Sequence, residues 1–379
     1  MSPDALRPHY SRFLAEDRVL LTGHSHQAWP DVAREGVLEA FDDAARLVDD
    51  KWGAASDAAD AIRAAVAAQW NDAPDRIALG QSTHELVTRF LSALPLSERP
   101  RIVTTRGEFH SMRRQLARLA EVGLEVVWVD PSPLDSLAER LAAAIDERTS
   151  ALMCSTVLFE TASVVPGLHE AARIAHERGA EVLLDAYHQF NVVPFDLVSF
   201  DVPVFATAGG YKYAQWGEGC CFLRVPPHCT LSPVYTGWFA EFATLGDKDA
   251  SDRVRYGVRG ADRFAGSTYD PVSHYRARRV IRFFEERGLD VGTLRAISLR
   301  QTDRLFAGLE GFEILTPREP DQRGGFVSVR TPRAGELVTR LRERGVYVDA
   351  RGDLLRFGPA PYVTDDEIDR ALASFRALA

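Results

Sequence analysis

The chain has 379 residues, 46% hydrophobic and 26% charged, which is the make-up of an ordinary globular protein with room for one large domain and a smaller one. A net charge of −9 argues against a nucleic-acid binder and against attachment to anionic membranes. No run of 18 or more apolar residues suggests a membrane span, and the N-terminal "MSPDALRPHYSRFLAEDR" has no apolar signal core, so a cytoplasmic location is expected.

From about residue 75 the pattern alternates short apolar runs with amphipathic stretches. "RIALG" (76–80) predicts a strand and residues 82–94 a helix. "RIVTT" (101–105) precedes a helix over 110–121, and "LEVVWVD" (124–130) precedes one over 134–145. "SALMCST" (150–156) leads to a helix over 168–178, followed by the strands "AEVLLDA" (180–186) and "GCCFLRV" (219–225). Such alternation implies an α/β fold with parallel strands, helices on both faces, and a ligand site beyond the carboxyl ends of the strands. After a long helix at 271–287 a smaller α/β unit is expected. It would hold the strands "GFEILT" (311–316), "GGFVSVR" (324–330), "VYVDAR" (346–351) and "LLRFGP" (354–359), with helices over 334–345 and from residue 364. The expected division is an N-terminal segment 1–45 packing on the small domain, a large domain 46–287 and a small domain 288–379.

Lysine is scarce. Lys51, Lys212 and Lys248 are the three, which leaves 42 arginines among the 45 basic residues. Lys212 stands in "GGYKYAQWGEG" (209–219), between two tyrosines and among glycines. In a low-dielectric site a lysine loses its charge readily and becomes a nucleophile. A solvated loop lysine is the alternative, but the scarcity and the flanking residues favour a Schiff-base lysine. Asp185 ends the apolar strand of "LLDAYHQF" (183–190), with His188 three residues on. It either caps a turn or is a carboxylate at the ligand edge, where desolvation demands a cation or donors. A strand-end Asp followed by such a Lys suggests pyridoxal phosphate, with the Lys holding the cofactor as an imine and the Asp keeping its pyridine nitrogen protonated.

A phosphate site must then exist. In "GQSTHEL" (80–86), Ser82 or Thr83 opens a helix whose free N–H groups suit a phosphate, although an ordinary capped helix reads the same way. "GEFHSM" (107–112) offers Phe109 to stack on a cofactor ring and His110 to approach it, or Phe109 as plain core. Arg356 in "LLRFGPAPY" (354–362) fits either an amino-acid carboxylate or an internal salt bridge. The histidines of "GHSH" (23–26) lack a third ligand. The four cysteines, Cys154, Cys220, Cys221 and Cys229, have no CxxC spacing, so neither a metal site nor a disulfide framework is expected.

As a set these residues resemble the kynureninase branch of the fold-type-I pyridoxal phosphate enzymes, the class V aminotransferase group. "LTGHSHQAWP" is similar to that family's N-terminal Gly-Asn-Ser-Leu-Gly segment, "DAYH" to Asp-Leu-Ala-His, "YKY" to Tyr-Lys-Tyr, "GWFAEF" (237–242) to Gly-Trp-Phe, and "RFGPAPY" to Arg-x-x-Pro-x-Pro-x-Tyr. The resemblance implies roles residue by residue. Lys212 carries the cofactor and later moves the Cα proton, Asp185 holds the pyridinium, His188 lies at the ring edge and Phe109 stacks. Ser82, Thr83 and Tyr211 bind the phosphate. Trp238 and Thr268 reach the phosphate of the neighbouring subunit in a homodimer with shared sites. Arg356, with Ser25 and His24, binds the amino-acid substrate. Departures stand at "LFETAS" (158–163), where Glu160 replaces a family Tyr near the phosphate and the reacting carbonyl and is expected to take its catalytic acid–base part, and at "RFAGST" (263–268), where Gly-Ser-Thr replaces Asn-Pro-Pro. The implied activity is hydrolytic Cβ–Cγ cleavage of a kynurenine-like amino acid. Transamination, β-elimination or epimerisation is the alternative, and a non-catalytic binding module the third reading.

Overall fold

A computed structural model describes residues 2–246 and 253–379, and Lys248 lies outside them. Seven strands form the main sheet: β2 (Ile77–Gly80), β3 (Arg101–Thr105), β4 (Glu125–Val129), β5 (Thr149–Ser155), β6 (Glu181–Asp185), β7 (Phe205–Gly209) and β8 (Cys221–Arg224). A short β1 (Val19–Leu20) precedes them. The order across the sheet is β2-β8-β7-β6-β5-β3-β4. The strands β7, β6, β5, β3 and β4 are parallel, and β8 runs antiparallel between β2 and β7. The expectation of parallel pairing therefore holds except at β8. The reason lies in its connection: from β7 the chain returns through the 210–220 turn without a crossover helix, and only an antiparallel pair can be joined so briefly.

Both faces of the sheet are covered, because alternate residues of each strand feed opposite cores. In β8, Phe222 enters one cluster while Cys221 and Leu223 enter the other; in β5, Leu152 and Cys154 oppose Ala151 and Met153. On one side Trp70, Phe190 and Phe222 meet edge to face, with centroids 4.7–5.7 Å apart. On the other, Phe205 sits between Phe90 at 5.0 Å and Phe264 at 5.6 Å. Each such buried ring stabilises by about 1.5–3 kcal/mol. The helix Val32–Leu47 runs across the expected boundary at residue 45 and packs on the helix Val272–Glu286.

The C-terminal unit is a three-stranded antiparallel sheet, β11-β12-β9, built from β9 (Val327–Arg330), β11 (Asp349–Arg351) and β12 (Leu354–Phe357). The expected strand 346–351 is split: β10 (Val346–Tyr347) leaves this sheet and pairs in parallel with β1, so the N-terminal segment is hydrogen-bonded to this unit. "GFEILT" makes one bridge, Ile314 to Val329, and no strand. The helix Val291–Gly308 and the strand β7 have no counterpart among the expected elements.

Candidate active site

The carboxyl ends of β3, β5, β6 and β7 lie at one edge of the sheet. Ladder pairing sets Ser155 beside Asp185, Asp185 beside Thr207, and Gly209 beside Cys221, with Gly80 on the far side of Cys221. A cavity of about 270 Å³ opens there, near the small end of cofactor and ligand sites, about 300–1,000 Å³. Ser82, Thr83, Phe109, Asp185, His188, Tyr211 and Lys212 all line it.

The glycines explain how Lys212 comes to lie at the floor. A Cβ on Gly209 would stand 2.3 Å from the Tyr187 hydroxyl and 2.6 Å from Cys221 Sγ. Only a bare backbone lets the turn sink against β6 and β8. The turn is then held from outside. Gln215, at φ +60°, accepts from Tyr10 Oη at 2.7 Å and donates to Gln27 Oε1 at 2.7 Å, while its N–H donates to the Lys212 carbonyl at 3.1 Å.

Lys212 is 4% exposed, and its Nζ lies 2.6 Å from His188 Nε2. Phe109 and Tyr187 rings each have their centroid 5.0 Å from Nζ. Burial lowers the lysine pKa; Asp185 opposes that, and Arg356 adds to it. Burial likewise holds His188 well below its ordinary range, aided by the charges of Lys212 and Arg356. The neutral ring accepts from Lys212 at Nε2, which leaves its proton on Nδ1, a buried atom with no hydrogen-bond partner. Asp185 is raised by burial and pulled back by the Tyr187 N–H, 2.9 Å from Oδ1, and by Lys212.

Ser82 caps the helix Thr83–Ala93, its Oγ accepting from Glu85 N at 3.2 Å. The buried Thr83 hydroxyl has no oxygen or nitrogen partner and lies beside the Cys221 thiol. A buried amine, an unpartnered hydroxyl at a helix N-terminus, an unpartnered imidazole N–H and a desolvated carboxyl call for one ligand with an electrophilic carbon, a phosphate and a basic nitrogen. Pyridoxal phosphate has all three, so the residues present fit it.

Other expected site residues lie elsewhere. Glu160 is exposed and does not line the cavity; its neighbour Phe159 does. Glu160 instead faces His110, whose pKa burial and the charges of Arg114, Arg351 and Arg113 lower and Glu160 raises. Trp238 and Thr268 are exposed, joined by Trp238 Nε1 donating to Thr268 Oγ1 at 3.2 Å, and neither lines the cavity. Ser25 Oγ lies 3.1 Å from His26 Nδ1. Arg356 is 2% exposed and already paired: Nε and Nη2 donate to Asp349 at 2.9 and 2.6 Å, and Nη1 to the Phe159 carbonyl at 2.5 Å. His24 Nε2 meets the same Asp349 carboxylate at 2.8 Å. The internal salt bridge is thus present, yet one N–H on each terminal nitrogen of Arg356 remains for a carboxylate.

Sequence reasoning passed over Glu108, Ser155 and Asp349. Glu108 stands inside the quoted "GEFHSM", one residue from Phe109, and an acid directly beyond an apolar strand was the available signal. Asp349 alternates with buried Val346 and Val348 in "VYVDAR" and gave none.

A family profile described as the kynureninase C-terminal domain matches residues 294–375. A kynureninase of Pseudomonas fluorescens is 27% identical over 404 residues, spanning 96% of this chain and 90% of that protein. An isopenicillin N epimerase of Streptomyces clavuligerus is 28% identical over 325 residues, spanning 80% of each. Among solved structures, a C-DES mutant with glycine covalently linked to its PLP cofactor superposes with a TM-score of 0.83 at 18% identity, spanning 97% of this chain and 98% of that one. That last likeness speaks for the fold.

Proposed function

We propose, for a chain that is a kynureninase-like pyridoxal phosphate enzyme of fold type I, the hydrolysis of a kynurenine-like amino acid at its Cβ–Cγ bond. The observation that carries the reading is Lys212, an amine buried with His188 and Asp185 at the base of a cavity beside a helix N-terminus. Pyridoxal phosphate, when bound, withdraws electrons from the amino acid's Cα.

In this reading Ser82, Thr83 and Tyr211 hold the phosphate, Phe109 covers one ring face, and Asp185 and His188 fix the ring. Arg356 offers its two remaining N–H groups to the substrate carboxylate, with His24 and Ser25 behind it. Burial lowers the Lys212 pKa to about 7, so the residue that would carry the cofactor has its free-base form accessible at neutral pH and could take the Cα proton of the substrate. Water adds its hydroxyl to the γ-carbonyl carbon and its proton ends on Cβ, so the Cβ–Cγ bond parts to give a carboxylic acid and alanine. Exposed apolar side chains around Trp238, including Tyr235, Phe242 and Leu245, support a homodimer in which Trp238 and Thr268 complete the partner's site. No helix among the described residues is long and apolar enough to cross a membrane, and a cytoplasmic location is part of the proposal.

The test is product analysis of the PLP-loaded protein with L-kynurenine. Anthranilate and alanine are expected; a spectral response to the amino acid without either product would overturn hydrolysis while keeping amino-acid binding. Elimination or epimerisation is the second reading. It is favoured by the outward position of Glu160, which leaves the carbonyl without the acid–base group expected there. Because Glu160 is off the cavity wall, Glu160→Gln is expected to keep turnover within about threefold. A fall of about 10²-fold, the scale of a positioned acid–base group, would instead assign it to the carbonyl.

A further inference from the structure

Glu108 takes no part in the chemistry above, yet it is 1% exposed and lies directly behind the cavity wall, bonded to the wall residue Ser155. It follows β3 and precedes the helix His110–Glu121. Its Oε1 accepts from Thr105 Oγ1 at 2.6 Å and from Ser155 N at 3.1 Å, and its Oε2 lies 2.6 Å from Ser155 Oγ. The Thr105 hydroxyl in turn accepts from Gly107 N at 3.1 Å. Every partner is neutral, and no ion pair reaches Glu108 among the described residues. Ser155 lines the cavity and stands beside Asp185 in the β5–β6 ladder.

Two buried carboxyls, Glu108 and Asp185, face each other through Ser155. The titratable groups around them are Lys212, whose charge acts on Asp185, the Tyr187 and Tyr211 hydroxyls, raised by burial and further by Asp185, and the Cys154 thiol, raised by burial and further by both carboxyls. One amine cannot hold two buried anions, and the charge of Asp185 adds to burial in disfavouring an ionised Glu108. The three contacts admit both states: a carboxylate accepts all three, and a neutral acid accepts twice at Oε1 and donates from Oε2 to Ser155 Oγ.

We propose that Glu108 is a positioning residue that works as a neutral carboxylic acid, donating to Ser155 Oγ so that the serine's own proton points into the cavity. The cavity then presents a hydroxyl donor to an anionic oxygen of the bound cofactor or substrate, and Asp185 keeps the single negative charge of the pair. An ionised Glu108 would accept the serine O–H, leaving only the lone pairs of Ser155 Oγ turned to the ligand. Burial pushes the Glu108 pKa up to about 7 against the pull of Ser155 and Thr105, which is the same direction.

The inference rests on the cavity holding pyridoxal phosphate and not on which reaction follows, and two of its three tests need neither. In the apoprotein at pH 6, the infrared difference between wild type and Glu108→Gln should contain the carbonyl stretch of a protonated carboxyl; a carboxylate stretch in its place overturns the proposal. An acid raised in the fold contributes stability that is full below its ordinary value of 4.5 and lost as pH rises through about 7. Glu108→Gln, which has no proton to lose, should gain on wild type in melting temperature from about pH 4.5 to 7 and level off above; a difference independent of pH overturns the proposal. In the loaded protein Gln mimics the neutral acid, so the cofactor dissociation constant should stay within about twofold, whereas Glu108→Ala should raise it tenfold or more. The reverse ranking would show that a carboxylate is needed.

Discussion

Lys212→Ala is expected to leave a folded protein that turns over no substrate and lacks the visible absorption band of the bound cofactor. Positioned proton transfer alone contributes about 10²–10⁴-fold, and Lys212 combines that with the covalent hold on the cofactor, so a loss of at least about 10³-fold follows. The fold should survive because the turn is held by contacts other than the lysine side chain: Gln215 to Tyr10 and Gln27, Trp216 N to the Gly210 carbonyl at 2.8 Å, and Gly210 N to the Cys220 carbonyl at 2.8 Å. Removing the amine also spares the desolvation of a buried cation, at the expense of leaving Asp185 without one, which that residue meets by taking a proton. The apoprotein's far-ultraviolet circular dichroism and melting should therefore change little while the visible spectrum changes completely. A variant that kept the band, or kept more than about a hundredth of turnover, would remove Lys212 from the role assigned to it.

The separation of what the sequence disclosed from what it hid follows packing. Strands β3, β5 and β6 are apolar runs bounded by helices, and their order alone put Asp185 and Lys212 at one edge. β7 was invisible because "FATAG" carries little strand propensity; it is a strand because small residues are required where Tyr187 and Cys221 press on Gly209. The helix Val291–Gly308 hides its inward face behind polar residues. Gln301 is 1% exposed and donates to the carbonyls of Ala360 and Val363 at 2.9 Å each, and Thr302 is fully buried. A buried polar stripe breaks the apolar period by which a helix is read. The direction of β8 was misjudged since nothing local distinguishes a strand that enters a sheet backwards. Glu160 was singled out by its place where the resembled family has a Tyr; it is exposed, and Phe159, one residue away, lines the cavity. Asp349 needed the third dimension altogether: Arg356 was recognised as buried and in want of an acid, and only the β11–β12 pairing, with Asp349 opposite Arg356, supplies it.

Asp349→Ala is expected to destabilise the apoprotein by about 3–5 kcal/mol, the effect of stripping one partner from a buried ion pair. Its carboxylate takes two hydrogen bonds from Arg356 and one from His24, which are 2% and fully buried respectively. Burial would raise the Asp349 pKa, but His24 and Arg356 together hold it well below the usual carboxylate range. His24, pushed down to about 4 by burial and by Arg356, is neutral at pH 7 and donates through Nε2, so it too loses its acceptor in the variant. Arg356→Met should be costly for the mirror reason, leaving the acid alone. The double variant should lose less than the sum of the two, and that shortfall in urea unfolding measures their coupling. Additivity would mean that the pair is not a unit. Asp349→Asn separates stability from function: it keeps the shape of the site but weakens the clamp that aims Arg356, and a charge-assisted hydrogen bond of about 1.5–3 kcal/mol is then at risk for the substrate carboxylate. At about 1.4 kcal/mol per tenfold, KM for the amino acid should rise about tenfold or more while kcat falls less. An unchanged KM would place the substrate carboxylate away from Arg356.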